Sequence, residues 1–299
     1  MEQWTWVIFT LLAAVMQSVR TAAQKYLSSS MTPMAVTYVR YLFGLPWVVL
    51  YMLWWGGDLT HIRGLPSAAW LWILFGGLTQ ILGTWALVKV STQRNFAVGS
   101  TFSKTEALQT AIIGALFLSI PLTVRGWISV MVGVSGIIML ILPCNALNWT
   151  SWMSPVTGLG LLCGFSFAIS SLAVYQSSNL TGLTPLLSAA LVLVMMVSIQ
   201  LVVVTLWLSL FERGSFSAVF RNLPWSLFVG LCSAVGSIGW FTAMSLQNPA
   251  LVRTLGQIEF LFSLLLTWFI FGERIRRNEW IGCGLIILSV LVLLLGRVV

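Results

Sequence analysis

Residues 72–77 read Trp72-Ile73-Leu74-Phe75-Gly76-Gly77, and 153 positions later residues 225–230 read Trp225-Ser226-Leu227-Phe228-Val229-Gly230. The echo extends outward from there. The same shift, with a small slip near the third and eighth apolar segments, pairs Gly83 with Gly236, Ala97 with Ala250, Thr101 with Thr254, Glu106 with Glu259 and Trp127 with Trp280. At 152 positions, Thr32-Pro33 meets Thr184-Pro185. Leucine identities arise by chance in apolar segments and are discounted; the matched Trp, Gly, Glu and Thr-Pro positions carry the duplication. Self-similarity at a fixed period marks repeated structural units, here residues 1–150 and 151–299 of a single membrane domain.

The chain is 59% hydrophobic and 7% charged, with a mean hydropathy of +0.97, whereas a soluble domain is about a quarter charged. A composition of this kind belongs in lipid. A spanning helix needs about twenty mostly apolar residues, and cutting the chain at Gly, Pro, Asn and charge clusters gives ten. They cover residues 4–24, 33–55, 68–90, 97–118, 126–142, 155–176, 184–210, 224–246, 249–271 and 278–297. The connections are too short to hold a soluble domain, so function lies within the membrane or at its surfaces. Five spans per unit is an odd number, so the second unit enters the membrane from the opposite side to the first. The expected fold is an all-α membrane protein of ten transmembrane helices, arranged as two inverted five-helix repeats. The first segment lacks a basic leader and a small-residue cleavage site and reads as retained.

Several functions are disfavoured by the same composition. The formal charge of +8 is scattered over short loops and helix interiors, so no nucleic-acid partner is expected. The four cysteines show no CxxC spacing and His61 is the only histidine, which argues against a metal site, a cofactor or a catalytic residue. A membrane enzyme would need an acidic or histidine cluster at the interface, and a channel usually builds its pore from oligomeric symmetry.

Six ionisable residues lie inside the spans: Arg20, Arg40, Lys104, Glu106, Arg253 and Glu259. A charge at the centre of a lone spanning helix costs about 2.5–3.5 kcal/mol, so such residues face one another, water or cargo. Residues three, four and seven apart share a helix face. Gln17, Arg20 and Gln24 then form a polar stripe on the first helix, and Thr37 and Arg40 a shorter one on the second. Ser103, Glu106 and Thr110 on the fourth are mirrored by Gly256, Glu259 and Ser263 on the ninth, with Arg253 and Gln257 beside them. Candidate cargo contacts are Arg20, Arg40, Lys104, Glu106, Arg253, Gln257 and Glu259, joined by Gln80, Tyr38, Trp85 and Trp240. An alternative reading is that the cations clamp the two glutamates structurally, and that Arg20, with Lys25, snorkels to the headgroups. Four positive and two negative charges favour an anionic or zwitterionic metabolite, such as an amino acid, as the completing partner. A desolvated carboxyl is also a candidate proton carrier, Glu259 ahead of Glu106, because Lys104 neighbours Glu106 in sequence. Pro46 is expected to kink the second helix near its middle. The glycines of the third and eighth helices are expected to allow close helix approach.

The stretches Thr101-Phe102-Ser103-Lys104-Thr105-Glu106 and Phe269-Ile270-Phe271-Gly272-Glu273-Arg274, the latter followed by Trp280-Ile281-Gly282, resemble the drug/metabolite transporter superfamily and its ten-helix EamA-type permeases. The first repeat departs from the pattern, with Ser119-Ile120-Pro121 where Gly-Glu would stand. The resemblance implies a secondary transporter of small polar metabolites, often an exporter, in the bacterial inner membrane, acting by alternating access in a cavity between the repeats. Its partners would be a small-molecule substrate, the lipid bilayer and protons, with the chain a monomer or homodimer. A lipid flippase of the same superfamily is the alternative, since a cationic cavity also suits a phosphate headgroup. Orientation stays open: the loop charges favour termini outside by the positive-inside rule, and the resemblance implies the reverse.

Overall fold

A computed structural model describes residues 2–91, 102–141, 155–262 and 277–295, and every regular element among them is helical. In the first repeat these are α1 (Glu2–Leu27), α2 (Pro33–Leu42), α3 (Leu45–Trp54), α4 (Leu59–Arg63), α5 (Ser67–Ser91), α6 (Glu106–Phe117) and α7 (Val124–Ile141). The second repeat contributes α8 (Pro155–Leu180), α9 (Pro185–Phe211), α10 (Ser215–Arg221), α11 (Leu223–Leu246), α12 (Pro249–Gly256) and α13 (Arg277–Leu295). Six spans are long and apolar enough to cross a membrane: Trp4–Gln24, Pro33–Trp54, Ser67–Val90, Pro155–Leu180, Pro185–Phe211 and Leu223–Leu246. Shorter apolar helices at α6, α7 and α13 stand at the expected fourth, fifth and tenth spans. The expected ninth span begins with α12 and continues beyond the described residues from position 263.

The matched Thr-Pro pairs are helix starts. Thr32 is the N-cap of α2, accepting from the Ala35 N–H at 3.2 Å, and Pro33 follows where its missing N–H leaves no bond unmade. Thr184 and Pro185 open α9 in the same places, without the side-chain cap bond. The second span breaks at Phe43-Gly44, and Pro46 falls in the first turn of α3. Proline is tolerated at that position, so Pro46 begins the second half of a broken span instead of bending a continuous one.

Helix pairing follows a pseudo-two-fold axis. The most extensive contacts are α5 with α8, α1 with α11, and α7 with α13. In span order these are three with six, eight with one, and five with ten. Exchanging the repeats turns the first pair into the second and returns the third to itself, as an inverted duplication requires. Side-chain detail agrees with this. Ser129 and Ser289 exchange hydroxyl-to-carbonyl bonds at 2.9 and 2.8 Å between α7 and α13, and their repeat-equivalents, Gly282 and Gly136, also meet closely. A Cβ at Gly239 would lie 2.6 Å from the Phe9 carbonyl oxygen, so glycine is what lets α11 lie against α1.

The apolar core runs along α9, where Leu191, Val192, Leu193 and Met196 are wholly buried against α2, α3, α5 and α11. Leu50, Leu53, Trp54, Phe117, Leu206 and Leu295 are exposed on the outer surface. An apolar periphery of this kind is what a lipid solvent demands.

Candidate functional site

The fourth and ninth spans both interrupt their helices at repeat-equivalent positions. Lys104 and Thr105 form a turn ahead of α6, and Gln257 and Ile258 form one after α12. At both positions the two residues concerned lie 153 apart. Irregular backbone at membrane depth is tolerated only where it is buried in protein or lines a cavity, and broken helices facing each other across repeats are where transporters hold cargo.

The charges meet there in crossed pairs. Lys104 of the first repeat lies 3.3 Å from Glu259 of the second, and Arg253 Nε of the second lies 2.6 Å from Glu106 Oε1 of the first. Both glutamates are buried. The same Arg253 nitrogen is 2.9 Å from Ser171 Oγ, and its guanidinium stacks 4.5 Å over the Trp240 ring. Trp240 Nε1 donates to Gln17 Oε1, and Gln17 Nε2 donates to Glu259 Oε2, both at 2.9 Å. One network therefore joins α1, α6, α8, α11 and α12, drawing on both repeats. The glutamates are equivalent, but the cations are not: Lys104 corresponds to Gln257, and Arg253 to Ser100. The side chains of Gln257 pack toward Gly133, and their nitrogen and oxygen find no hydrogen-bond partner among the described residues.

Arg40 sits beside this network, on the axis. Its guanidinium donates to Thr84 at 3.0 Å and Ser237 at 3.3 Å, hydroxyls that are themselves 153 positions apart. Arg20 is buried at 3% exposure, so it does not snorkel as its place near a helix end suggested. Arg20, Arg40, Lys104, Glu106, Arg253, Gln80 and Trp240 all line one cavity, with Gln17, Ser171 and Phe167. Space for water-sized spheres inside it amounts to about 30 Å³, room for about two waters. Glu259 and Gln257 line an adjoining pocket that shares Lys104, Glu106, Trp240 and Arg253.

Two expected contacts lie elsewhere. Tyr38 packs edge-on against Phe216 of α10, with ring centroids 5.5 Å apart. Trp85 is capped by Lys89, whose ammonium lies 4.7 Å from its ring. The repeat-equivalent of Trp240 is Leu87, and Leu87 does line the cavity; two residues along a helix rotate a side chain by about 200°, which turns Trp85 away. Ser171 and Cys163 of α8 were not anticipated as cavity residues. Cys163 is buried and also lines the wall. The serines along the sixth span, Ser166, Ser170, Ser171, Ser177 and Ser178, were the available signal.

The two membrane faces differ. On the face of the 27–33 and 211–223 connections, Tyr26 packs on Trp225, Phe43 on Phe220, and Thr32 donates to Glu212 at 2.5 Å. The opposite face has a recess of about 420 Å³ lined by Ser119, Tyr175, Asn179, Gln247 and Asn248. Tyr175 of the recess directly follows Val174 of the cavity on α8, and Ser245 follows Met244 on α11, so adjacent residues line the two spaces.

Residues 4–142 and 156–295 each match the EamA-like transporter family, one repeat apiece. The chain belongs to that family. EamA repeats thus span nearly the whole sequence, and the protein is a transporter of the drug/metabolite type, embedded in the membrane by multiple helices. A solved structure titled only "Crystal structure of protein" superposes with a TM-score of 0.71 over 99% of this chain and 98% of that chain. At 16% identity that likeness shows the fold alone. No curated protein matches the sequence.

Proposed function

We propose that this EamA-family chain is a secondary active transporter that carries a small polar metabolite, anionic or zwitterionic, by alternating access, in the export direction. The observation that carries the reading is the pair of crossed ion bridges between the repeats, Lys104 with Glu259 and Arg253 with Glu106, at the two equivalent helix breaks. When two halves rock about a central site, contacts that cross between them must rearrange. Bridges between repeats are therefore placed to report or control which side is open. The small volume of the cavity fits a state closed around the site, which cargo enters only after the halves separate. Family membership does not favour the lipid-flippase alternative.

Glu259 is the proposed proton-coupling residue. Glu259 and Lys104 belong to different repeats, so neutralising that carboxylate would release a contact that crosses between them. The Glu259 bridge is the longer of the two, at 3.3 Å against 2.6 Å for Glu106. Counterflow in proteoliposomes tests the whole reading: a preloaded metabolite should drive saturable uptake of its labelled form. Failure of a broad panel of soluble anions and zwitterions to exchange would refute it. For coupling, Glu259→Gln should retain exchange but lose its dependence on the proton gradient, and unchanged dependence would remove the role.

A further inference from the structure

We propose that Arg20 and Arg40 form a binding site for a compact dianion of the phosphate-monoester type. This deepens the transporter reading, on which it rests, by naming a substrate class. The argument begins with the partition of charge. Lys104, Glu259, Arg253 and Glu106 neutralise one another within the bridges. Arg20 and Arg40 line the same cavity and make no ion pair among the described residues. Two buried cations without an anion are costly, and the shortfall is two negative charges in one place.

The hydrogen-bond inventory has the same sign. A guanidinium carries five N–H donors. Arg40 gives one each to Thr84 and Ser237, and the buried Arg20 Nε has no partner among the described residues. Gln24 Nε2, one helical turn from Arg20, is likewise buried and without a partner among the described residues. These groups can all donate, so their complement is a group rich in acceptors. Guanidinium forks match phosphate oxygens in bidentate fashion, and two forks on one small cavity suit two charges on one centre. A zwitterion fits less well. Its ammonium would need a carboxylate, and Glu106 and Glu259 are already engaged. A monocarboxylate would leave one cation unpaired.

Isothermal titration of the full chain in nanodiscs tests this with four probes: glycerol 3-phosphate, lactate, alanine and a short-chain phosphatidic acid. Glycerol 3-phosphate should bind at least tenfold tighter than lactate or alanine. Arg20→Gln and Arg40→Gln should each weaken it at least tenfold, while Lys89→Gln, which removes a cation outside the cavity, should leave it unchanged. The ranking of probes on the unaltered chain stands as a test even where an arginine variant does not fold. Phosphatidic acid binding tenfold tighter than glycerol 3-phosphate would assign the dianion to a lipid headgroup; the reverse order assigns a soluble ester. Equal or tighter binding of alanine or lactate, no binding of either phosphate probe, or phosphate binding indifferent to both arginine variants would overturn the site. Dianion binding without counterflow would keep this inference and remove the carrier. Counterflow of a zwitterion that survives both arginine substitutions would do the opposite.

Discussion

Glu106 and Glu259 occupy one position of the repeat but are held by different means, Glu106 by a close arginine with Ser171 and Glu259 by a more distant lysine together with Gln17. Removing one partner of a buried ion pair leaves the other charge uncompensated, at a cost of about 3–5 kcal/mol. Glu106→Gln should therefore lower the unfolding temperature more than Glu259→Gln does. The double variant Glu106→Gln/Arg253→Gln should recover part of the loss, and a thermal-denaturation cycle over the four chains measures that coupling. Additive losses would mean that the bridge contributes nothing. Ser119 offers a test of opposite sign. It holds φ at +52° just past α6, where Leu118 and Ile120 both return their N–H to Gly114. Its repeat-equivalent is Gly272, outside the described residues. A left-handed turn favours glycine, so the Gly-Glu of the family pattern reads as a helix-closing device that the first repeat executes with a strained serine. Ser119→Gly should stabilise the protein by about 1 kcal/mol, seen as a raised melting temperature with transport unchanged.

At the scale of elements, α12 is a short helix that delivers Arg253 to the cavity and then stops. Asn248 caps its start, accepting from the Ala250 N–H at 2.9 Å. Asn248→Ala should cost about 1 kcal/mol. At its other end, a Cβ on Gly256 would overlap the Trp240 ring, the same ring that Arg253 stacks upon. Overpacking of this kind costs about 1–3 kcal/mol. Gly256→Ala should thus impair exchange well beyond what its effect on stability explains, and a rate loss no larger than that of Asn248→Ala would argue against Trp240 as a support for Arg253. Much of this could be read from sequence: Thr32-Pro33 and Thr184-Pro185 marked helix starts because capping and proline geometry are local. The breaks at Lys104-Thr105 and Gln257-Ile258 could not, because no proline or paired glycine announces them. They lie where α6 and α12 meet across the repeats, a contact between segments remote in sequence.

For the molecule as a whole, the asymmetry between its faces sets the last expectation. The recess at Asn179 and Asn248 lies on the side of the even-numbered spans' ends, which ten crossings also assign to both termini. A membrane-impermeant maleimide should label Asn179→Cys only from the side that carries a reporter fused to Val299. Labelling from the other side would reverse the assignment. Composition, the 153-residue echo and the odd number of spans per repeat determined the lipid environment, the ten-helix count and the inversion, because these depend on residue type, spacing and parity along one chain. The six membrane charges were equally visible. Their pairing was not. Lys104 neighbours Glu106 in sequence but bridges Glu259, and Trp85 resembles Trp240 but faces away, because partners across a pseudo-two-fold axis are chosen by how two separately folded surfaces meet. That meeting alone placed Arg20 and Arg40 in the cavity wall with no ion pair among the described residues.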